Sequence, residues 1–330
     1  MSFLNRIEYY LPETVLTNQD LEQEFPECSS SKISDKIGIN QRHIAKPDET
    51  ALDLAYMAAS KLLQNFDKSK IDFLLLCTQS PEYHLPTTAC ILQNKLGLNT
   101  SIGAIDYPLG CSGYVYGLAI ATSLVQSNIA KNVLLVTAET YSKFLYPKDK
   151  ANRSIFGDAA TATIITENDI DQILKFDLGT DGSGMAHLIV PNGGMRNKIE
   201  IDPIEISDDN GTRTNNHLYM DGAAIFNFTI ENIPNTINNC LNKNEMRMDD
   251  IDYFVFHQAN KFMLNHLRKK FKIPAEKFYI DMANTGNTVS CTIPIALKDC
   301  FDKGLIKSGD KVLLCGFGVG LSWGTTIVKI

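Results

Sequence analysis

The sequence predicts an α/β protein built from two homologous halves, and three observations predict it. The apolar segment Ile71-Asp72-Phe73-Leu74-Leu75-Leu76 recurs about 180 residues further on as Ile251-Asp252-Tyr253-Phe254-Val255-Phe256. A second segment, Val133-Leu134-Leu135-Val136, recurs at almost the same offset as Val312-Leu313-Leu314-Cys315. Helix-like stretches occupy matching places between them. Short apolar runs joined by helices read as strands buried on both faces, in mixed or mostly parallel sheets. The period is too long for a solenoid, so it marks a duplication.

In the first half, the strand at 71–76 leads to a helix-like segment from Thr87 to Leu96, and an amphipathic stretch from Gly113 to Ser127 precedes the second strand. In the second half, Ala259 to Phe271 and Thr292 to Lys303 take the same positions. The polar run from Glu167 to Gln172 interrupts the apolar pattern and predicts the boundary, giving halves 1–169 and 170–330. The polar stretch from Met195 to Asn216 reads as a surface excursion of the second half.

Composition narrows the function classes. The chain has 330 residues, long enough to bury a sizeable core, and its 44% hydrophobic and 21% charged content is that of a soluble globular protein. No apolar run reaches the roughly 18 residues of a membrane span, and Met1 to Leu11 lacks the pattern of a secretory signal. The net charge of −7 and the lack of a long basic block argue against a nucleic-acid partner. The eight cysteines, Cys28, Cys77, Cys90, Cys111, Cys240, Cys291, Cys300 and Cys315, form no C-x-x-C pair. They read as reduced thiols of a cytoplasmic protein, not a disulfide framework or a zinc site.

Duplicated halves bring equivalent loops to one interface, a preferred place for ligand sites. Three loops stand out. Gly110-Cys111-Ser112-Gly113 opens a helix, where unsatisfied N–H groups favour a thiolate; the residues also suit a buried structural cysteine. His257-Gln258-Ala259-Asn260 places polar groups abruptly at a strand end, and His257 is either a site residue or a satisfied structural one. Asn284-Thr285-Gly286-Asn287-Thr288-Val289-Ser290 reads as a turn and cap, or as the second-half counterpart of the Cys111 loop, which it should then face. The turn Cys315-Gly316-Phe317-Gly318-Val319-Gly320 lacks the Lys-Ser/Thr of a phosphate loop and fits a wall of backbone N–H groups better.

Together with Ile37-Gly38-Ile39, Arg42-His43-Ile44-Ala45, Ile155-Phe156-Gly157-Asp158-Ala159-Ala160, Gly286-Asn287-Thr288 and Trp323-Gly324, these motifs cover essentially the whole chain. In this order and spacing the chain resembles the beta-ketoacyl-acyl-carrier-protein synthase III family, condensing enzymes of the thiolase superfamily. The resemblance implies a thiolase-like fold, two halves in a layered α-β-α-β-α arrangement. It implies that Cys111 takes an acyl group from a thioester. His257 and Asn287 would then donate hydrogen bonds to the enolate formed as malonyl-acyl-carrier protein loses carbon dioxide, and the carbanion would attack the Cys111 thioester. Backbone N–H groups of Cys111 and of the Gly318, Val319, Gly320 turn would hold the tetrahedral oxyanion. It further implies a homodimer, an acyl-carrier-protein partner, an acyl thioester substrate on phosphopantetheine, and no metal or redox cofactor.

Departures from the family pattern imply a divergent paralogue with a specialised acyl substrate. Lys32 and Lys150 stand where family members stack tryptophan and arginine on the adenine of coenzyme A, so an acyl-carrier-bound donor gains weight. Leu85 aligns where an aromatic often closes the acyl pocket, beside Phe156 in the substrate-binding set, and Val319 replaces a glycine. Phe262 replaces a basic residue; Arg268, Lys269 and Lys270, with Lys272, either dock the acidic carrier protein or form a solvated helix face. Two other readings stand beside this one. A non-decarboxylating acyltransferase would have no use for His257 and Asn287 as a pair, and a non-catalytic partner subunit would have no use for Cys111.

Overall fold

Apolar strands alternate their side chains between two faces, and in each half this alternation builds one sheet between two layers of helix. The computed structural model describes residues 1–27 and 29–330; Cys28 lies outside the described residues, and the other seven cysteines are free thiols.

The first-half sheet contains β1 (Ser2–Tyr10), β2 (Phe73–Cys77), β3 (Gly103–Tyr107), β4 (Asn132–Glu139) and β5 (Ala159–Glu167), in the order β1-β5-β4-β2-β3. The second contains β6 (Asp177–Thr180), β7 (Tyr253–Phe256), β8 (Lys311–Gly318) and β9 (Ser322–Lys329), in the order β7-β8-β9-β6. Strand β2 runs parallel to β4 with Phe73 opposite Val133, and β7 runs parallel to β8 with Tyr253 opposite Val312. The repeated sequences therefore occupy the same register in both sheets, and the antiparallel pairs β4–β5 and β8–β9 extend the match. The sheets are mixed. In the second half the counterpart of β3 is reduced to one parallel bridge from Phe254 to Phe278, because Pro274 and a 3-10 turn at Ala275–Lys277 occupy the approach.

Six helices complete the layers: α1 (Ala51–Leu63), α2 (Thr88–Leu96), α3 (Gly113–Gln126), α4 (Gly222–Lys243), α5 (Lys261–Lys270) and α6 (Thr292–Asp302). Their ends are written in the sequence. Thr50 and Asp53 close a capping box on α1, Gly97 ends α2 at φ 62°, and the Asn260 side chain caps α5 by accepting from Met263 N–H.

Helices α3 and α6 bury residues on most of their circumference, Tyr114, Val115, Leu118 and Val125 on one and Ile293, Ala296, Leu297 and Cys300 on the other. A helix apolar on most sides must be covered on most sides. Both lie in the middle layer, sharing one core with the inward residues Leu75, Val133 and Leu135 of the first sheet and Val255, Val312 and Leu314 of the second. The alternate residues Leu74, Leu76, Leu134 and Val136 face α1 and α2 on one outside, while Phe254, Phe256, Leu313 and Cys315 face α4 and α5 on the other. The layer order is thus α-β-α-β-α, the expected thiolase-like arrangement.

Residues 168–176 carry the chain from β5 to β6. Within the polar stretch beyond β6, Met195 and Ile201 are almost fully exposed, and Ile206–Asp208 pairs with Gly211–Arg213 as a small hairpin. No helix among the described residues is long and apolar enough to cross a membrane.

Gly117 lets α3 press against the first sheet. A Cβ there would run into the Tyr107 hydroxyl and stand 2.7 Å from Leu135 Cδ1. Gly117→Val is expected to destabilise the protein by about 1–3 kcal/mol through overpacking, read as a lowered midpoint in denaturant unfolding.

Candidate active site

The inner-layer helices begin beside one another, and this brings the two halves' loops together. A Cβ on Gly113, the first residue of α3, would lie 3.6 Å from the Cβ of Ser290, just before α6. The expectation that the Cys111 loop faces its second-half counterpart therefore holds.

Cys111 is buried, with only 6% of its surface exposed. Its loop is closed by Gly113 N–H donating to Gly110 O over 2.7 Å, with Ser112 as the residue before the helix. The end of β8 backs the thiol so closely that a Cβ on Gly318 would stand 2.9 Å from Sγ. The backbone N–H groups of Val319 and of Cys111 itself are directed at the sulfur. Ser322 donates to Val319 O at 2.9 Å and pairs with Ser112 Oγ at 2.7 Å, which holds the Val319 turn against the cysteine loop. The helix N-terminus does not make a resting thiolate. Burial, and next the nearby Glu139, push the Cys111 pKa up to about 12 against the lowering effect of the two N–H groups.

His257 follows β7 and is anchored by its own N–H donating to Cys315 O at 2.8 Å. Its ring packs edge-on against Phe317 at 5.7 Å between centroids, and Nδ1 lies 2.7 Å from Thr292 Oγ1. Burial lowers its pKa to about 3, so the ring is neutral. The rest of the motif is structural: Gln258 Nε2 donates to Phe256 O and Tyr279 O, clamping the strand end, and Asn260 caps α5.

Asn287 is held from both sides along its backbone. Its N–H donates to Ile155 O at 2.9 Å, and its carbonyl accepts from Gly157 N–H at 3.0 Å, which places Phe156 beside it. The side-chain Oδ1 accepts from Val289 N–H at 2.9 Å. The amide nitrogen keeps only a long 3.5 Å contact to Ala259 O. Val289 makes this geometry with φ at 57°, a left-handed conformation that a buried β-branched residue adopts only under constraint.

Cys111, His257 and Asn287 thus converge where the sheet ends β7 and β8 meet the starts of α3 and α6. Beside them lies a cavity of about 660 Å³ whose wall includes Gln79, Tyr141, Phe144, Leu188, Leu218 and Val319. Tyr141 donates to Gln79 Oε1 at 3.1 Å and packs at a tilt against Phe156, with ring centroids 5.1 Å apart.

Other expected residues lie elsewhere. Leu85 is 83% exposed and outside the cavity lining, although its loop neighbours Glu82 and His84 belong to it. Lys32 is exposed on the helix Ser30–Ile37, and it is Lys36 that lines a surface groove with Lys148 and Lys150. Lys150 also pairs with Glu27 at 2.9 Å. The basic run on α5 is not uniformly free. Arg268 donates to Ile273 O and Lys270 to Ile230 O, which secures the helix end, whereas Lys269 is exposed.

Sequence reasoning missed Glu139, although it ends an apolar strand as abruptly as His257 does. It is fully buried and accepts from Gln79 N–H, Ser80 Oγ and Ser290 Oγ, tying first-half and second-half loops together under the site. Burial raises its pKa from 4.5 to about 8, against these donors. Between those values the folded protein holds a proton the unfolded chain has lost, so this group's contribution falls as pH rises through that window. The denaturation midpoint of wild type relative to Glu139→Gln is expected to fall between pH 4.5 and about 8 and to level off above it, as urea titrations across pH would show. Gly318→Ala is expected to slow acylation of Cys111 by roughly 10²-fold by displacing the thiol, read by intact-protein mass.

A family model described as 3-oxoacyl-[acyl-carrier-protein (ACP)] synthase III matches residues 105–182, and its C-terminal companion matches residues 241–330. The beta-ketoacyl-[acyl-carrier-protein] synthase III of Caldanaerobacter subterraneus subsp. tengcongensis is 36% identical over 324 residues, covering 97% of this chain and 95% of that protein. The crystal structure of a 3-oxoacyl-(acyl-carrier-protein) synthase III superposes with a TM-score of 0.97 at 46% identity, covering 100% of this chain and 99% of that one. A 3-oxoacyl-(acyl-carrier protein) synthase from Burkholderia xenovorans LB400 gives 0.90 at 33% identity, with 100% and 94% covered.

Proposed function

The chain belongs to the 3-oxoacyl-[acyl-carrier-protein] synthase III family, and we propose that Cys111, His257 and Asn287 carry out its decarboxylative condensation. The observation that carries this assignment is the convergence of a buried thiol, flanked by two backbone N–H groups, with a neutral histidine and an oriented amide.

In the first half-reaction the Cys111 sulfur attacks a thioester carbonyl. The N–H groups of Cys111 and Val319 hold the tetrahedral oxygen, the bond to the leaving sulfur breaks, and the thiol proton leaves with that sulfur. In the second, the malonyl carboxylate departs as carbon dioxide. Its bonding electron pair passes to the α-carbon, and His257 and Asn287 hydrogen-bond the resulting enolate oxygen. The carbanion then attacks the Cys111 thioester and expels the cysteine sulfur, which regains a proton from solvent. Electrons and protons balance in both steps with no metal or redox cofactor, so the enzyme acts as an acyltransferase with pantetheine-borne substrates.

The large cavity supports a second, narrower reading: the acyl group is longer than acetyl. Each methylene buried there contributes about 0.8 kcal/mol, so chain length should dominate selection among donors. The groove of about 590 Å³ that holds Lys36, Lys148 and Lys150 is also lined by Asp208 and Asp209, and Lys148 and Lys150 pair with Glu205 and Glu27, so a pantetheine phosphate there would exchange with these carboxylates. Exposed Lys269 offers charge for an acidic carrier protein. A homodimer would cover the exposed Leu85 and the free edge of β3, where Ile105 is 43% exposed. The free thiols suit a reducing cytoplasm.

The test is a panel of acyl-coenzyme A and acyl-carrier thioesters read by intact mass, followed by carbon dioxide release from malonyl-acyl-carrier protein. Cys111→Ala should lose the adduct. His257→Ala and Asn287→Ala should keep it and lose roughly 10²–10³-fold in carbon dioxide release. An adduct that survives Cys111→Ala on another cysteine would refute the nucleophile, and release unaffected by both second-half variants would favour the non-decarboxylating alternative.

A further inference from the structure

An amide on the cavity wall is left without an acceptor, and it stands beside the nucleophile's own loop. Gln79 lies just past the end of β2 and lines the cavity. Its backbone N–H donates to Glu139 Oε2 at 3.1 Å, and its side-chain Oε1 accepts from the buried Tyr141 hydroxyl at 3.1 Å. The residue is therefore held at both ends. It packs on Gly110, the residue before Cys111: a Cβ there would stand 2.7 Å from Gln79 Oε1 and 2.5 Å from Val319 Cγ1. With Oε1 taken, the N–H groups on Nε2 remain, and they have no acceptor among the described residues. Other polar groups of the wall are committed. Ser80 Oγ donates to Glu139 Oε2, and Asn192 Nδ2 donates to Glu200 Oε1 and Asn216 Oδ1.

We propose that Gln79 selects the acyl donor by donating from Nε2 to an oxygen on the β-carbon of the chain, so that the preferred substrate is a 3-oxo- or 3-hydroxyacyl thioester. This rests on the reading of Cys111 as the acylated thiol. Position argues for the β-carbon. The thioester oxygen is served by the N–H groups of Cys111 and Val319, so the amide is left for the chain beyond it. Consecutive Cα atoms are about 3.8 Å apart, and the amide lies alongside Gly110 rather than Cys111, about that far from the thiol. The β-carbon, the third atom from the sulfur, falls at such a distance, and the α-carbon falls short of it. An unsubstituted chain would cover the amide and strip its water with nothing in return, whereas a β-oxygen restores the hydrogen bond. Tyr141, Phe144, Leu188 and Leu218 keep much of the remaining wall apolar, so the tail of the chain is hydrocarbon. A 3-oxoacyl thioester is what a decarboxylative condensation makes, so a reaction of the same class would supply this donor.

The test reads Cys111 acylation by intact-protein mass with N-acetylcysteamine thioesters of octanoate, 3-oxooctanoate and 3-hydroxyoctanoate, which bypass carrier docking. Wild type should favour the 3-oxo over the octanoyl ester roughly 10-fold beyond the ratio that free N-acetylcysteine shows, a comparison that removes the intrinsic reactivity of the esters and needs no variant. Gln79→Met keeps the length of the side chain without the donor and should bring the ratio back to that of the free thiol. Gln79→Glu keeps the Tyr141 contact but puts a second oxygen where the donor was. It should depress the 3-oxo rate while sparing the 3-hydroxy rate, because a hydroxyl donates to a carboxylate; a merely structural role for Gln79 would lower all three rates alike. A wild-type ratio equal to that of the free thiol, a preference that persists in Gln79→Met, or 3-oxo and 3-hydroxy rates that fall together in Gln79→Glu would each overturn the proposal. No adduct on wild type, or one that survives Cys111→Ala, would instead refute the nucleophile, and the proposal would fall with it.

Discussion

Everything at the site depends on two helices that have most of their surface covered. Helices α3 and α6 are buried against both sheets at once, and one apolar core joins their side chains to the inner faces of both halves. That packing leaves one arrangement, with the helices side by side and their first turns adjacent. Each helix starts where a loop has just left a sheet edge, so the loops meet as well. The Cys111 turn and the Asn287–Thr292 segment are therefore brought together by hydrophobic burial, to which the hydrogen bond from Ser290 to Glu139 adds. Close approach is bought with glycine at Gly113 and Gly318, where a side chain would strike Cys77 or Cys111.

The same burial determines the electrical state of the site. Burial disfavours charge on every titratable group in it: the thiol is driven up, the imidazole down and the Glu139 carboxyl up. The resting site is thus nearly uncharged and lined with oriented dipoles. Such an environment interacts weakly with neutral thioesters and strongly with the oxyanion or enolate that forms from them, which is the differential binding that accelerates a reaction.

The fold was legible because duplication leaves its mark on apolar runs, and register survives sequence drift. Phe73 and Tyr253 differ, yet each stands opposite a valine on its parallel neighbour. The candidates Cys111 and Asn287 stood out because their loops take matching places in the two halves, and His257 because it breaks an apolar strand at its end. What could not be read was set by partners far along the chain. Arg268 and Lys270 look like free surface charge until the carbonyls of Ile273 and Ile230 are in place. Leu85 aligns with a pocket position but its exposure depends on the path of a loop. Glu139 offered the same strand-end signal as His257, but a lone acidic residue has many structural explanations, and only the three donors from two halves of the chain distinguish it.

Val289 shows why the second-half loop cannot be treated as a simple cap. A cap needs only to satisfy the helix N-terminus, and Asn, Thr or Ser would do so with an ordinary backbone. Here a buried valine is held at positive φ, a state costing about 1–3 kcal/mol that packing must offset. The return on that strain is directional. Its N–H fixes which end of the Asn287 amide faces the site, and its carbonyl stands beside the His257 ring and the Thr292 hydroxyl. An unstrained valine would turn these two groups elsewhere, and the Asn287 amide and the His257 ring would lose their orientation together. The pair therefore behaves as one unit organised by a single peptide segment, which predicts strong non-additivity between substitutions at Asn287 and Thr292 although neither side chain need touch the other.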